Sequence, residues 1–405
     1  MFLRNLLRAG LALHVLCSIA TAQDWTEQSV LTLFDQQSPI RRESQAAAAA
    51  AVEAVRGRTL WPNPIAAYSR ETVGFTEFVQ GEQLLPLSGR LQLERRALEP
   101  ARETAEAQGA ARMWDARSQL RVAFYRALAA QLQATEIQSA LAKLNSILNV
   151  LKLREQEGEG SRYDRVRVER EAAELRADAS LAANRAKSEI AAMLAHLPAG
   201  TSIKTIQGSL APRLLSSTST ELAHRAVEQR ADIRAESSRL TQLSLEQQVA
   251  DRLRIPEPMV TAGMKRTQVA PNLNNTGAVI SLSIPLPVFN KGQTEVARVS
   301  AEQQRVQARR ELLIQQVNAA VAGAYEVYMA RLDALRTFER ETGAIGAELL
   351  ETARVGYEEG EVGILQVLDA LRLDRQTALR RLELEASVKD IEIELSRSAG
   401  FEVTQ

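Results

Sequence analysis

Two segments of the chain alternate between apolar residues and small or polar ones, a pattern typical of half-buried β-strands. They are Met259–Thr267 and Gly277–Ile284, and Pro256 and Pro287 flank the pair. The segment between them, Pro271–Asn275, has the composition of a loop. The pattern therefore predicts a β-hairpin with one apolar face. Strands of about ten residues also have the length that a tilted membrane-spanning strand requires.

Most of the remaining chain carries apolar residues at three- and four-residue spacing, the period of an amphipathic helix. Within residues 364–384 the apolar positions are Ile364, Leu365, Val367, Leu368, Leu371, Leu373, Leu379, Leu382 and Leu384. Arg and Glu fill many of the other positions, as in a coiled coil. A hairpin among such helices can neither bury its apolar face nor close its own edges. We therefore expect the hairpin to act in a larger assembly.

The chain contains one pattern twice. Five short motifs of the first half recur in the same order about 200 residues later. The pairs are Ile40–Ser44 with Ile233–Ser237, Pro62–Pro64 with Pro256–Pro258, Leu85–Leu87 with Ile284–Leu286, Phe124–Tyr125 with Ala324–Tyr325, and Glu157–Glu159 with Glu359–Glu361. The order predicts a first repeat over 23–210 and a second over 211–405. Each contains a helix, a hairpin and further helices, with hairpins at 62–87 (turning near Gly74) and 256–287.

The periodicity and the Pro and Gly breaks predict the helices. We expect the first over 26–58, with a break at Pro39. A long helix over 89–156 is expected to be disturbed by Pro100 and Gly109. The remaining predicted helices are 163–196, 219–254, 291–358 and 365–398, so that the helical parts of the two repeats are 89–196 and 291–398.

Composition and the first residues limit the class of protein. The 405 residues include 50 basic and 50 acidic side chains, which argues against a nucleic-acid-binding protein. Residues 1–22 have the charged start, apolar core and small-residue cleavage site of a secretory signal. Leu16 precedes Cys17, where a lipoprotein site needs a small residue, so we expect a mature chain that starts at Gln23 without a lipid. No later segment contains the run of about 18 apolar residues that a membrane-spanning helix requires.

No constellation in the sequence favours catalysis. There is no Gly-rich phosphate loop and no Ser/His/Asp set. His196 and His224 lack partners at metal-ligand spacing. We therefore expect no enzyme, no cofactor and no selective metal site.

Strand number constrains the assembly. Two hairpins give four strands per chain, whereas a closed membrane barrel needs about eight. Eight strands leave an interior that side chains fill, so three chains with twelve strands make the smallest open channel. In such a barrel Leu282 would face lipid and Ser283 the lumen. The long helices would continue the barrel as a tube.

The mature chain resembles the TolC-like outer-membrane efflux protein family. The two-fold repeat and the paired Pro-x-Pro hairpin starts carry this resemblance, together with the strand endings Leu84–Arg90 and Ser283–Gly292. The most specific piece is the helix-tip sequence Tyr357–Ala370. Glu228–Ile233 resembles the family's Arg-Pro-Asp-Leu motif, with Ala231 in place of the proline. The shortness of the chain and its first helix tip are similar to the heavy-metal efflux (CzcC-like) branch.

The resemblance implies a mostly α-helical fold with transmembrane β-structure. It implies a homotrimer whose twelve-stranded β-barrel lies in the outer membrane of a Gram-negative bacterium, in contact with its lipid, above a periplasmic α-barrel of coiled-coil helices. Such proteins are exit ducts of tripartite efflux systems, for metal cations or small toxic compounds. Their partners are a periplasmic adaptor (membrane fusion) protein and an inner-membrane RND-type pump.

The resemblance also assigns candidate positions at the helix tips. Family members narrow the closed periplasmic entrance with acidic residues, and Asp369 falls on one of these positions. Gln366 falls on another, where the archetype has a second aspartate, and Glu361 lies near the same turn. Val362 replaces a basic residue that helps to tie the family's gate shut, which makes closure by a charge network doubtful here. The expected adaptor-contacting tip residues are Gly158, Glu159, Gly160, Gly360 and Gly363.

Two alternatives remain at this point. A type I secretion duct would have the same fold, and an exported protease or toxin encoded nearby would favour it. A soluble periplasmic coiled-coil adaptor would share the helices, but the alternating strand Gly277–Ile284 argues against it.

Overall fold

The computed structural model describes residues 25–72, 75–270, 273–343 and 345–403. The expected signal at 1–22 with Cys17, and the first hairpin's turn at Gly74, lie outside these residues. The helices are α1 (Glu27–Gln37), α2 (Pro39–Arg58), α3 (Arg90–Arg96), α4 (Leu98–Gln156), α5 (Arg162–Leu194), α6 (Ser219–Gln229), α7 (Ala231–Arg252), α8 (Gln293–Thr342), α9 (Ile345–Glu358) and α10 (Ile364–Ala399). The strands are β1 (Ile65–Glu71), β2 (Thr76–Leu84), β3 (Met259–Ala270) and β4 (Leu273–Ser283).

Long helices dominate the molecule. The longest, α4, has 59 residues, which at about 1.5 Å per residue extends about 90 Å. It packs along α5 and α10, while α8 packs along α7 and α10. Among the described helices, none combines the length and the apolar character needed to cross a bilayer.

The two hairpins form one four-stranded antiparallel sheet in the order β1-β2-β3-β4. The central pairing joins the halves of the chain, since β2 pairs with β3 over a register that runs from Leu84 opposite Met259 to Thr76 opposite Thr267. In the described residues β1 and β4 each pair on one side alone. The sheet therefore presents two open edges.

The segment that links the halves is packed into the helical core. Ile203, Ile206 and Leu210 of this segment are buried against α1 and α4. The Ile206 amide donates to Gln131 Oε1 at 3.1 Å, and Gln131 Nε2 donates back to the Ile206 carbonyl at 2.8 Å. The link is therefore held to the first half of the chain through both its apolar and its polar groups.

The expected break at Pro39 is confirmed. Ser38 is extended, and its hydroxyl accepts the Ile40 amide at 3.2 Å, so it caps the new helix. The bounds of α5 and α10 are close to those predicted.

The expected disturbance at Pro100 and Gly109 is wrong. The interruption lies at Ala97, and Pro100 falls in the first turn of α4, where its missing N–H has no cost. Gly109 continues the helix at a close contact with α2, because an added Cβ would come within 2.8 Å of Ser44 Cβ.

The helix predicted over 219–254 is two helices, because Arg230 adopts an extended conformation between them. Its guanidinium binds the Asp232 carboxylate, with Nη2 2.6 Å from Oδ2. It also donates to the carbonyls of Arg397 and Ser398 at the end of α10. Ala231 carries no local break signal, so the tertiary contacts decide the interruption.

The helix predicted over 291–358 is also interrupted. It ends as α8 at Thr342 and resumes as α9 at Ile345. Gly343 stands at the end of α8, where an added Cβ would lie 2.5 Å from the Glu339 carbonyl oxygen. The expected break at Gly360 and Gly363 is confirmed, since it separates α9 from α10.

The loop predicted at Pro271–Asn275 extends too far, because its last three residues belong to β4. Strand β3 continues to Ala270 and β4 begins at Leu273, with Thr267 opposite Asn275. Asn274 and Asn275 therefore take ladder positions, because cross-strand pairing outweighs their low intrinsic β-propensity.

Candidate channel site

One face of the sheet is apolar and exposed. The pairing places Val260 opposite Leu282, Ala262 opposite Ile280 and Met264 opposite Ala278, and partners directly opposite each other share a face. These are the residues that alternation assigned to the apolar face. Relative exposure reaches 80% at Ile280, 62% at Leu282 and 61% at Met264. Such a surface requires an apolar medium or a partner.

The opposite face is polar and more covered. Thr261 and Thr76 are buried, and the Thr76 hydroxyl donates to Thr267 Oγ1 across the β2–β3 pair at 3.4 Å. Lys265 belongs to this face, with its ammonium 5.5 Å from the ring centroid of Phe78. The sheet thus separates an apolar side from a polar side, as the wall of an aqueous channel must.

The base of the sheet is tied to the helices by a cluster that the sequence did not reveal. Glu257, between the two prolines of the second hairpin start, accepts hydrogen bonds from Ser88 Oγ at 2.6 Å and Arg90 Nε at 2.9 Å. Ser88 and Arg90 follow the first hairpin, so the cluster joins the end of the first hairpin to the start of the second. The only signal in the sequence is that the family-like motifs Leu84–Arg90 and Pro256–Pro258 contain these three residues.

The two helix tips are turns of the same kind. Gly158 and Gly360 both adopt left-handed conformations, with φ of 80° and 77°. The next amide closes each turn: Glu159 N–H donates to Arg154 O at 2.9 Å, and Glu361 N–H to Gly356 O at 2.8 Å. Glycine is favoured there because a Cβ clashes in this backbone region.

The other two glycines have different roles. A Cβ on Gly160 would lie 2.7 Å from the Glu155 amide nitrogen, so the returning chain needs a glycine. Gly363 caps α10 with an extended backbone and no side-chain hydrogen bond. The side chain of Ser161 caps α5 by accepting the Asp164 amide.

The structure brings both tips together. Buried residues of α4, α5, α9 and α10 form one apolar cluster that contains Leu148, Leu151, Val168, Ala353 and Leu368. The Arg154 guanidinium lies 5.3 Å from the ring centroid of Tyr357. Charged pairs brace the same region, with Lys143 Nζ 2.9 Å from Asp374 Oδ2.

The candidate gate residues lie on the surface of this region. Gln366 and Asp369 are exposed and, three residues apart, share one side of α10. Glu361 is exposed on the preceding turn and contacts the chain through its backbone amide. Arg372, one turn after Asp369, is bound to Glu171 of α5 and lowers the pKa of the Glu171 carboxyl by hydrogen bonding to it. The Asp369 side chain is therefore near the Arg372 guanidinium, which is already bound to Glu171.

A second electrostatic cluster lies away from the tips and has no sequence signal. Glu27 accepts hydrogen bonds from Arg121 Nε and from the Tyr125 hydroxyl, both at 2.6 Å. Burial by itself would raise the pKa of the Glu27 carboxyl, but Arg121 and Tyr125 outweigh it and hold the pKa below its usual value. Burial and the hydrogen bond to Glu27 raise the pKa of the Tyr125 hydroxyl.

Metal-ligating side chains do not cluster in the part of the chain that the structure describes. There, no three or more His, Cys, Asp or Glu residues are arranged so that they could hold a metal ion.

A family comparison finds a likeness in the second half of the chain. Residues 222–401 match the family model described as outer membrane efflux protein. Over this range the chain is similar to outer membrane efflux proteins. The match spans α6 to α10 and includes β3, β4 and the second helix tip. It agrees with the resemblance to the TolC-like family that the motifs indicate.

Whole-chain comparisons extend the likeness to the first half. The chain is 26% identical over 408 residues to the cobalt-zinc-cadmium resistance protein CzcC of Cupriavidus metallidurans, covering 94% of this chain and 95% of that protein. The CusC channel superimposes with a TM-score of 0.69 at 16% identity, over 93% of this chain and 92% of CusC. The open state of the Neisseria gonorrhoeae MtrE outer membrane channel superimposes with a TM-score of 0.67 at 17% identity, over 93% of this chain and 89% of MtrE. The part of the chain that the structure describes therefore has the fold of these channels.

Proposed function

We propose that the protein is the outer-membrane channel of a tripartite efflux system. It would form a passive duct from the periplasm to the exterior for metal cations or small toxic compounds. The observation that carries this proposal is the four-stranded sheet, which has an exposed apolar face, a polar face and two open edges. CzcC, a metal-resistance protein by name, supports metal cations as one cargo class.

The open edges favour a homotrimer. Each unpaired edge exposes a row of N–H and C=O groups, which cannot be left unsatisfied in a bilayer. If β4 of one copy pairs with β1 of the next, three copies close a barrel of twelve strands. The polar face then lines the lumen, and the long helices extend it into the periplasm.

The division of the chain follows the same plan. Residues 23–210 and 211–405 form two repeats, each contributing one hairpin to the barrel and a helix pair to the tube. The equivalent left-handed glycines at 158 and 360 support this division.

We expect the partner proteins of the efflux system to bind at the helix tips. We place a periplasmic adaptor at the turns around Gly158 and Gly360, and an inner-membrane RND-type pump beyond it. Exposed side chains and two short turns at one end of the bundle support this placement. The exposed apolar sheet face disfavours the alternative of a soluble periplasmic adaptor.

Purified protein in planar bilayers tests the proposal. We expect a mass in detergent equal to three copies and stepwise conductance after reconstitution. A monomer without conductance would refute the channel. Growth of a deletion strain on zinc, cobalt or cadmium, compared with growth on an organic cationic dye, would then separate the two cargo classes.

A further inference from the structure

The apolar face of the sheet ends in a charged row at the hairpin turns. The register aligns Arg70 of β1, Glu77 of β2, Arg266 of β3 and Thr276 of β4. The adjacent row on the same face contains Tyr68, Val79, Met264 and Ala278. The polarity of this face therefore changes over one step of two residues, about 7 Å along a strand.

The turn end of the sheet is the outer end of the proposed barrel. Helices join each hairpin at its base, through Pro62–Pro64 and Leu84–Arg90 in the first half. If those helices lie in the periplasm, the charged row lies at the level of the outer leaflet. This placement rests on the proposed function.

Aromatic residues mark the same level. Tyr68 is 64% exposed on the apolar face, and its hydroxyl donates to Glu77 Oε1 at 3.4 Å. Phe75, in the adjoining turn, is 53% exposed, and the Arg70 guanidinium lies 5.9 Å from its ring centroid. Exposed aromatic side chains are concentrated where a membrane barrel meets the head groups.

The two arginines of the row differ in their partners. Arg70 Nε lies 3.8 Å from Glu77 Oε1. Arg266 is exposed, and among the described residues its guanidinium has neither a hydrogen bond nor an ion pair. The row thus has two positive side chains and one negative, and its unpaired cation is on β3.

We propose that Arg266 binds a phosphate group of a phosphorylated lipid in the outer leaflet, such as the lipid A part of lipopolysaccharide. A guanidinium presents two parallel donors to a phosphate, and its long stem can lie along the apolar surface below it. Arg70 contributes less, because its guanidinium already faces the Glu77 carboxylate. A trimer presents three such sites around the barrel.

The neighbouring residue supplies a matched control. Lys265 has the same charge and precedes Arg266 by one position, but it lies on the polar face with its ammonium over Phe78. Arg266→Gln and Lys265→Gln therefore remove one positive charge each at the same height of the sheet, on opposite faces.

The test is the affinity of purified trimers in neutral maltoside detergent for diphosphoryl lipid A, measured by native mass spectrometry and by the shift in thermal unfolding. We expect Arg266→Gln to weaken binding by at least about fivefold, which corresponds to about 1 kcal/mol. Lys265→Gln should bind like the unmodified protein, and Arg70→Gln should show a smaller loss than Arg266→Gln.

Three results would overturn the proposal. They are unchanged binding by Arg266→Gln, an equal loss with Lys265→Gln, or displacement of the lipid by inorganic phosphate at equal concentration, which would indicate a free-anion site. Bilayer conductance of the same preparations separates this question from the proposed function. Conducting variants with unchanged lipid affinity refute the lipid site alone, whereas non-conducting monomers of the unmodified protein refute the channel and the lipid site together.

Discussion

Lys389 and Glu392 form a buried ion pair one turn apart on α10, with Nζ 2.7 Å from Oε2 and side-chain exposures of 2% and 1%. The Lys389 ammonium also lies 5.3 Å from the ring centroid of Tyr125 on α4. Glu392 accepts the Arg213 amide from the link between the halves at 3.3 Å. The pair therefore connects three separate parts of the helical core.

Replacing Lys389 should destabilise this core strongly. Lys389→Met removes the cation that pairs with Glu392, and breaking a buried pair on one side costs about 3–5 kcal/mol. The double variant Lys389→Met, Glu392→Leu should recover much of that loss, because no charge is then buried unpaired. Denaturant unfolding of the purified protein measures both. Equal destabilisation by the single and double variants would show that the ion pair itself is not responsible.

Acid should weaken the Glu27 cluster. Because Arg121 and Tyr125 hold the folded-state pKa of Glu27 below its unfolded value, this carboxylate stabilises the fold above the unfolded pKa. That contribution is lost as the pH falls through the folded-state pKa. Glu27→Gln should therefore lower the melting temperature at pH 7 and flatten its decline between about pH 5 and pH 3. An unchanged acid profile in Glu27→Gln would contradict the assignment.

The tip turn should not tolerate a side chain at Gly360. Its φ of 77° disfavours alanine, so Gly360→Ala should cost about 1–2 kcal/mol and distort the turn. Gly323→Ala is the matched control, because Gly323 lies within α8 with open space at its Cβ position. There alanine should stabilise the helix by up to about 1 kcal/mol. Thermal unfolding measures both changes, and opposite signs are expected.

The two faces of β4 should respond differently to arginine. Leu282→Arg places a charge on the apolar face, where an arginine costs about 2–4 kcal/mol at the membrane midplane and less towards the interfaces, whereas Ser283→Arg places it on the polar face. The yield of heat-modifiable trimers in outer-membrane fractions should fall for Leu282→Arg alone. Equal yields, or the reverse order, would mean that the polar face does not line the lumen.

The candidate gate predicts changes in ion selectivity. Three copies of Asp369 would form an acidic ring at the periplasmic entrance, and a narrow constriction screens such charges weakly. Asp369→Ala should reduce cation preference in a planar bilayer. Gln366→Asp should increase it, together with block by multivalent cations, because it adds a second ring on the same side of α10. Glu361→Gln controls for the neighbouring turn. If reversal potentials in a salt gradient stay the same in both variants, Asp369 is an ordinary surface carboxylate.

Local sequence determined the parts of this protein that depend on short-range sterics. Alternation over Gly277–Ile284 is sufficient to assign the faces of β4, because successive strand residues point to opposite sides. The glycines at 158 and 360 define the tips, because a left-handed turn favours residues without a Cβ. The resemblance in the second tip located Gln366 and Asp369 on α10.

Tertiary structure alone decided how these parts meet. The pairing of β2 with β3 needs two segments that lie far apart in sequence, so no local pattern specifies its register. The break at Arg230 depends on carbonyl groups at the end of α10, and the Glu257 cluster depends on Ser88 and Arg90 from the other half. In the sequence, Lys389 and Glu392 have the spacing of charged residues on a helix surface. They are buried only because α4 and the link pack over them. Long-range contacts set the burial and hence the energy of each of these groups.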